Sequence, residues 1–152
     1  DKKIIFSMVG VSKTIPQNQK QVLKNSKALA EGCMEEGLKL VTNGTDNHLS
    51  LVKVTDLVAS GREAELLLES VGIVTNKNVI PFDTLNSNLT SGIRIGSPLM
   101  TTRGAKEEEM KHIGHLIGIT LKSKNNDKRL EKIRKEVHDM TGKYSMFSSE
   151  WI

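Results

Sequence analysis

The chain has 152 residues, of which 37% are hydrophobic and 26% charged, and its formal net charge is +4. That length suits one domain with a substantial core, and no apolar run approaches the ~18 residues that a membrane span requires. Only five residues are aromatic (Phe6, Phe82, Tyr144, Phe147 and Trp151), and the basic and acidic groups are interspersed. Neither a base-stacking platform nor a basic stripe is present, which argues against a dedicated nucleic-acid binder. The single cysteine, Cys33, excludes an internal disulfide and a cysteine-rich zinc site. Ile4-Ile5-Phe6 is broken at once by Ser7, so no signal-peptide core is apparent. The expected setting is the cytosol, a plastid or a mitochondrial matrix, not a secretory one.

Taken in order, residues 1–18 show no clear period. From Gln17 to Glu36 the positions Val22, Leu29, Ala30 and Cys33 recur at helical spacing, with Lys20, Lys24 and Lys27 toward water. Gly37 suits the helix stop. Leu38–Thr42 reads as a short strand, Asn43-Gly44 as a turn, and His48–Leu57 as a second strand, together a hairpin-like pair. Ser60-Gly61-Arg62-Glu63 has the form of a capping box, in which the Ser60 hydroxyl and the Glu63 carboxylate satisfy each other's backbone N–H groups. It predicts a helix over 63–70, stopped at Gly72.

A third strand is expected over 73–76 and a fourth around Ile93-Arg94-Ile95, where strand alternation points Arg94 away from the face its neighbours use. Thr101-Thr102 is read as the cap of a helix starting near Ala105, with Glu107, Glu108 and Glu109 favoured by the dipole of its first turn. Met110, Ile113, Leu116, Ile117, Thr120 and Leu121 form its apolar face. Asn125-Asn126-Asp127 opens a last helix with Leu130, Ile133, Val137 and Met140 inward. The predicted fold is α+β: a small mixed or antiparallel sheet with helices packed on it. No internal repeat is seen.

Few side chains suggest chemistry by themselves. His112 and His115 stand three apart on one helix but lack a nearby third metal ligand. Cys33 reads as a buried structural thiol, and His138 as a solvated helix residue. Two segments stand out. Asn43-Gly44-Thr45-Asp46-Asn47-His48 is a polar turn ahead of a strand. Asn76-Lys77-Asn78 and Ser91-Gly92-Ile93-Arg94-Ile95-Gly96 bracket a polar loop. An arginine between two apolar strand residues is suited to gripping a carboxylate, because its planar fork offers two parallel bonds; half exposure or an ion pair is the plainer alternative.

These segments also carry a resemblance. Gly44-Thr45-Asp46-Asn47-His48-Leu49, Asn76-Lys77-Asn78, Thr90-Ser91-Gly92-Ile93-Arg94-Ile95-Gly96-Ser97-Pro98 and Thr101-Thr102-Arg103-Gly104 occur in the order of serine hydroxymethyltransferase, and Gln19–Glu31 fits as well. The resemblance spans residues 19–147, leaving 1–18 as an unmatched segment and 148–152 as a tail. It implies the C-terminal small domain of a fold-type I pyridoxal-phosphate enzyme. That family moves a one-carbon unit between serine and tetrahydrofolate, giving glycine and methylene-tetrahydrofolate. By resemblance, Arg94 holds the substrate carboxylate and Asn78 contacts folate, while Thr45–His48 supports the architecture.

The departures bear on function. The threonine run with the Schiff-base lysine is not found, nor is the acid that pairs with the pyridine nitrogen. The Gln-Gly-Gly-Pro stretch is missing, and Asn86-Ser87-Asn88 stands where the family has Ser-Pro-Phe near the folate. No catalytic residue is therefore assigned here. Bound pyridoxal phosphate and activity are expected only with a large domain or second subunit. The partners implied are that domain, serine or glycine, and tetrahydrofolate; an exposed former interface would favour self-association. The alternative is a stand-alone, non-catalytic binding or regulatory domain of the same descent.

Overall fold

The computed structural model describes residues 4–5 and 15–144. The expected N-terminal segment lies largely, and the expected tail wholly, outside them. The elements are β1 (Ile4–Ile5), α1 (Ile15–Glu35), β2 (Lys39–Leu40), β3 (Leu49–Lys53), α2 (Gly61–Ser70), β4 (Ile73–Val74), β5 (Asn76–Asn78), β6 (Gly92–Gly96), α3 (Pro98–Thr102), α4 (Glu107–Lys122) and α5 (Asp127–Gly142).

The predicted α+β class is what the chain adopts. A four-stranded antiparallel sheet has the order β2-β3-β6-β5, and β1 and β4 form a separate parallel pair. Alternation along the strands gives the sheet two unlike faces. Val52, Ile93 and Ile95 are fully buried on one face, which packs toward α1 and α2. Leu51 and Arg94 on the other face are only half-buried.

The helices form where their apolar periods lie. In α1, Ala28, Leu29, Ala30 and Cys33 are buried while Lys20, Lys24 and Lys27 are exposed. The helix ends as expected. Gly37 adopts φ +79°, which an L side chain resists, and Leu38 N donates to the Cys33 carbonyl at 3.0 Å. The whole predicted apolar face of α4 is buried, as are Leu130, Ile133, Val137 and Met140 of α5.

Helices α1 and α4 approach to backbone contact. A Cβ on Gly32 would lie 2.1 Å from the Lys111 carbonyl oxygen, and one on Gly114 would lie 2.5 Å from the Leu29 carbonyl oxygen. Only glycine at both positions allows this crossing. The C-terminal end of α1 and the residue after it are further clasped to α4 by ion pairs from Glu35 to Lys111 and from Glu36 to Lys122, with the His115 ring set between the two carboxylates.

Four expectations need correction. Ser60 caps α2 by accepting from Glu63 N at 3.1 Å, but the Glu63 carboxylate returns to Ala59 N at 2.5 Å, one residue earlier than a capping box requires. The helix accordingly begins at Gly61, where bare backbone sits against Thr90 and Gly92. The strand expected over 73–76 divides: Ile73–Val74 pairs with β1, and Asn76–Asn78 joins β6. Local pattern carries no information about which partner a strand selects. Finally, Thr101 and Thr102 belong to α3, which Pro98 opens in its first turn. The residue ahead of α4 is Lys106, whose N–H is accepted by the Glu109 carboxylate at 2.9 Å.

Candidate functional site

Arg94 is at the middle of β6, with Ile93 and Ile95 buried on the opposite face. Across the sheet it is paired with Leu51 of β3 on one side and Asn76 of β5 on the other. Two residues along β5, Asn78 is paired with Gly92. Period-two alternation therefore sets Asn76, Asn78, Arg94 and Leu51 on one face. The two sites singled out in the sequence, sixteen residues apart, are thus brought together by the β5–β6 register.

The residues beside Arg94 on that face are Gly92 and Gly96, and both are covered by loops. A Cβ on Gly92 would meet Ile80 Cγ2 at 2.4 Å, and one on Gly96 would meet the His48 carbonyl oxygen at 2.9 Å. The loop after β5 and the turn before β3 thus close over both ends of β6, and Arg94 occupies the window between them. The result is an open cleft of about 680 Å³, lined by Thr45, Asp46, Asn47, Leu51, Asn78 and Arg94 among others.

The polar turn is held by its own hydrogen bonds. Thr45 Oγ1 donates to the Leu49 carbonyl at 2.7 Å, and Asn47 Oδ1 accepts from Leu49 N at 2.7 Å. Asn43, at φ +53°, makes the preceding bend, a conformation asparagine tolerates better than most side chains. Thr45 and Asn47 therefore act as scaffold, and the turn also forms one wall of the cleft.

The opposite loop is organised by a residue the sequence reading did not identify, Asp83. Its carboxylate accepts from Ser91 Oγ at 2.6 Å, Ser91 N at 2.8 Å, Leu85 N at 2.9 Å and Ile80 N at 3.2 Å. The Ser91 hydroxyl, and then these backbone amides, hold its carboxyl well below the usual carboxylate range. The sequence signal is an aspartate two residues after Pro81 in the polar loop, a residue to which the sequence analysis gives no role.

Among the described residues, Arg94 has no carboxylate within ion-pair distance. Asp46 lines the same cleft but makes no ion pair with Arg94, and Lys53, on the neighbouring strand, pairs with Asp56. A guanidinium with this exposure on the floor of a cleft, beside an apolar leucine, can receive an external carboxylate without first breaking an internal pair. Asn78 donates to the Val79 carbonyl at 2.8 Å and keeps its amide oxygen as an acceptor at the cleft.

The serine hydroxymethyltransferase family profile matches residues 8–117, which include all of these segments. The chain belongs to the serine hydroxymethyltransferase family. A serine hydroxymethyltransferase works with pyridoxal phosphate, and the cleft does not by itself suit that group. Its lining contains no lysine to hold the aldehyde carbon. Its single cation, Arg94, is a partner for one carboxylate, not for a whole cofactor.

The remaining candidates take structural places. His112 contacts Glu136 at 2.8 Å, bridging α4 and α5, whereas His115 faces Glu35 at the end of α1 and Glu36 just after it. The two histidines thus serve different neighbours, and among the described residues no group of three or more His, Cys, Asp or Glu is arranged for a metal ion. Cys33 is fully buried, which pushes its thiol up to about 12 and makes it inert. His138 is exposed, as expected. A second groove of about 590 Å³ lies between α4 and α5, but its lining mixes Glu136 and Asp139 with Lys132 and Lys135 and favours no single ligand charge. Among the described residues no helix is long and apolar enough to cross a membrane.

Proposed function

We propose that this chain supplies the carboxylate-gripping portion of a composite site that interconverts serine and glycine. Arg94 takes the substrate carboxylate, and Asn78, on the same sheet face, contacts the folate. The observation that carries this reading is a cleft-floor guanidinium with no acidic partner, held between Leu51 and Asn76. The Schiff-base lysine and the cofactor pocket come from a large domain or second subunit, so these 152 residues do not turn over substrate unaided. Pyridoxal phosphate supplies the electron sink there; Arg94 fixes one end of the amino acid and so limits how it can present its reacting bonds.

The test pairs the chain with a cofactor-loaded large domain of the family and measures serine cleavage. Arg94→Ala should lower kcat/KM by roughly 100-fold, corresponding to ~3 kcal/mol for truncating one side of a desolvated charged contact. Asn78→Ala should raise the folate KM and leave the carboxylate step intact. Unchanged serine kinetics in Arg94→Ala would remove Arg94 from the site. The intact mass of the endogenous protein separates the two forms of the reading. A mass well above 16.8 kDa means that the site is completed within one polypeptide. A mass near that value directs attention to a separate partner, or to a binding module without catalysis.

A further inference from the structure

Asn76 is paired with Arg94 across the β5–β6 ladder, yet it does not line the cleft. With its amide oxygen turned to the guanidinium, Asn76 accepts from Arg94 Nη2 at 3.2 Å, and its amide nitrogen donates to the Thr75 carbonyl at 3.2 Å. The opposite amide orientation would set oxygen against carbonyl and nitrogen against guanidinium, so the network selects the first.

We infer that Asn76 is a positioning residue, which orients the Arg94 guanidinium for an incoming carboxylate while leaving its charge intact. This rests on the proposed role of Arg94. The argument is one of charge and valence. A guanidinium carries five N–H donors in one plane. Asn76 engages one of them and is itself anchored to the Thr75 carbonyl, so the plane is held from the neighbouring strand. Leu51, across the sheet, offers no polar atom to compete. An aspartate at position 76 would orient the group equally well but would neutralise it, and the cleft would lose its attraction for an anion. A neutral acceptor is therefore the side chain that gives orientation without charge cancellation. A positioning role also fits a residue 76 that lies on the same face but outside the cleft lining, whereas Asn78 is part of that lining.

The experiment uses the full 152-residue chain and two readouts. Nitrogen NMR of the Arg94 Nη groups gives the rate of rotation about the Nε–Cζ bond, and glycine titration of the chain paired with a cofactor-loaded large domain of the family gives a dissociation constant. In Asn76→Ala the rotation should be about fivefold faster, the factor that one lost hydrogen bond carries. In Asn76→Asp, which keeps the shape, rotation should slow and glycine binding should weaken at least about tenfold, because the new carboxylate occupies the guanidinium. Backbone amide spectra matching the parent chain show that both variants are folded; should Asn76→Ala not fold, Asn76→Asp alone decides. Rotation and glycine affinity unchanged in Asn76→Asp overturn the inference. Failure of the underlying reading looks different: Arg94→Ala then leaves the glycine response of the parent chain unaltered, while the rotation rates still report whether Asn76 holds Arg94.

Discussion

Replacing Gly114 with alanine tests the packing that carries the site, and it does so through the sign of the effect. On an exposed helix, glycine to alanine stabilises by ~1 kcal/mol through helix propensity. Here the new Cβ would lie 2.5 Å from the Leu29 carbonyl oxygen, 2.8 Å from Cys33 N and 2.9 Å from the Gly32 carbonyl carbon. All three are backbone atoms of α1, so no side chain can rotate aside. The helix must retreat by roughly 0.9 Å to restore an ordinary 3.4 Å contact. Overpacking of this kind costs about 1–3 kcal/mol, and an unyielding neighbour puts it at the upper end. Less the propensity gain, Gly114→Ala should be destabilising by about 2 kcal/mol, or a Tm lower by about 4–8 °C in a domain of this size. Urea unfolding followed by circular dichroism should show a lower midpoint with an unchanged slope. Cys33 offers a second reading, because it is fully buried beside this contact. Its modification by a thiol reagent in native buffer should accelerate. An unchanged or raised Tm would mean that propensity alone governs the position and that the two helices do not meet at backbone distance.

Other outcomes follow from the same structure. The folded pKa of Asp83 is depressed, so its contribution is fully present above the unfolded value of 3.8 and is lost as pH falls below it. Thermal unfolding from pH 5 to pH 2 should therefore be less acid-sensitive in Asp83→Asn, and an identical acid limb would remove Asp83 as the anchor of the loop. Asn25 is fully buried and donates to Thr101 Oγ1 and to the Ala105 carbonyl, both at 2.8 Å. Asn25→Ala should lower stability by about 1–3 kcal/mol through the orphaned carbonyl, measured by urea denaturation. Ser60→Ala removes the cap of α2 and should cost ~1 kcal/mol in the same assay, with Ser60→Asp restoring most of it.

Much of the secondary structure was legible because it depends on near neighbours. The apolar faces of α1, α4 and α5, the stop at Gly37 and the cap at Ser60 are written in residues within a turn or two of each other. The face that Arg94 takes, opposite Ile93 and Ile95, follows from alternation alone. The short helix α3 is not legible in the sequence because five residues are too few to display an apolar helical period. Thr101 and Thr102 were consequently assigned to the wrong helix.

The amino-acid sequence by itself determined the α+β class, the family and the candidate pair Arg94 and Asn78, since each rests on local period or on motif order. Tertiary structure alone decided what surrounds that pair. The β5–β6 register set Asn76 against Arg94, the loops covering Gly92 and Gly96 left one guanidinium uncovered, and Asp83 gathered four donors around one carboxylate. These are relations between residues distant along the chain or between backbone groups. They arise when the burial of Val52, Ile93 and Ile95 selects one register among several that the local pattern would equally allow.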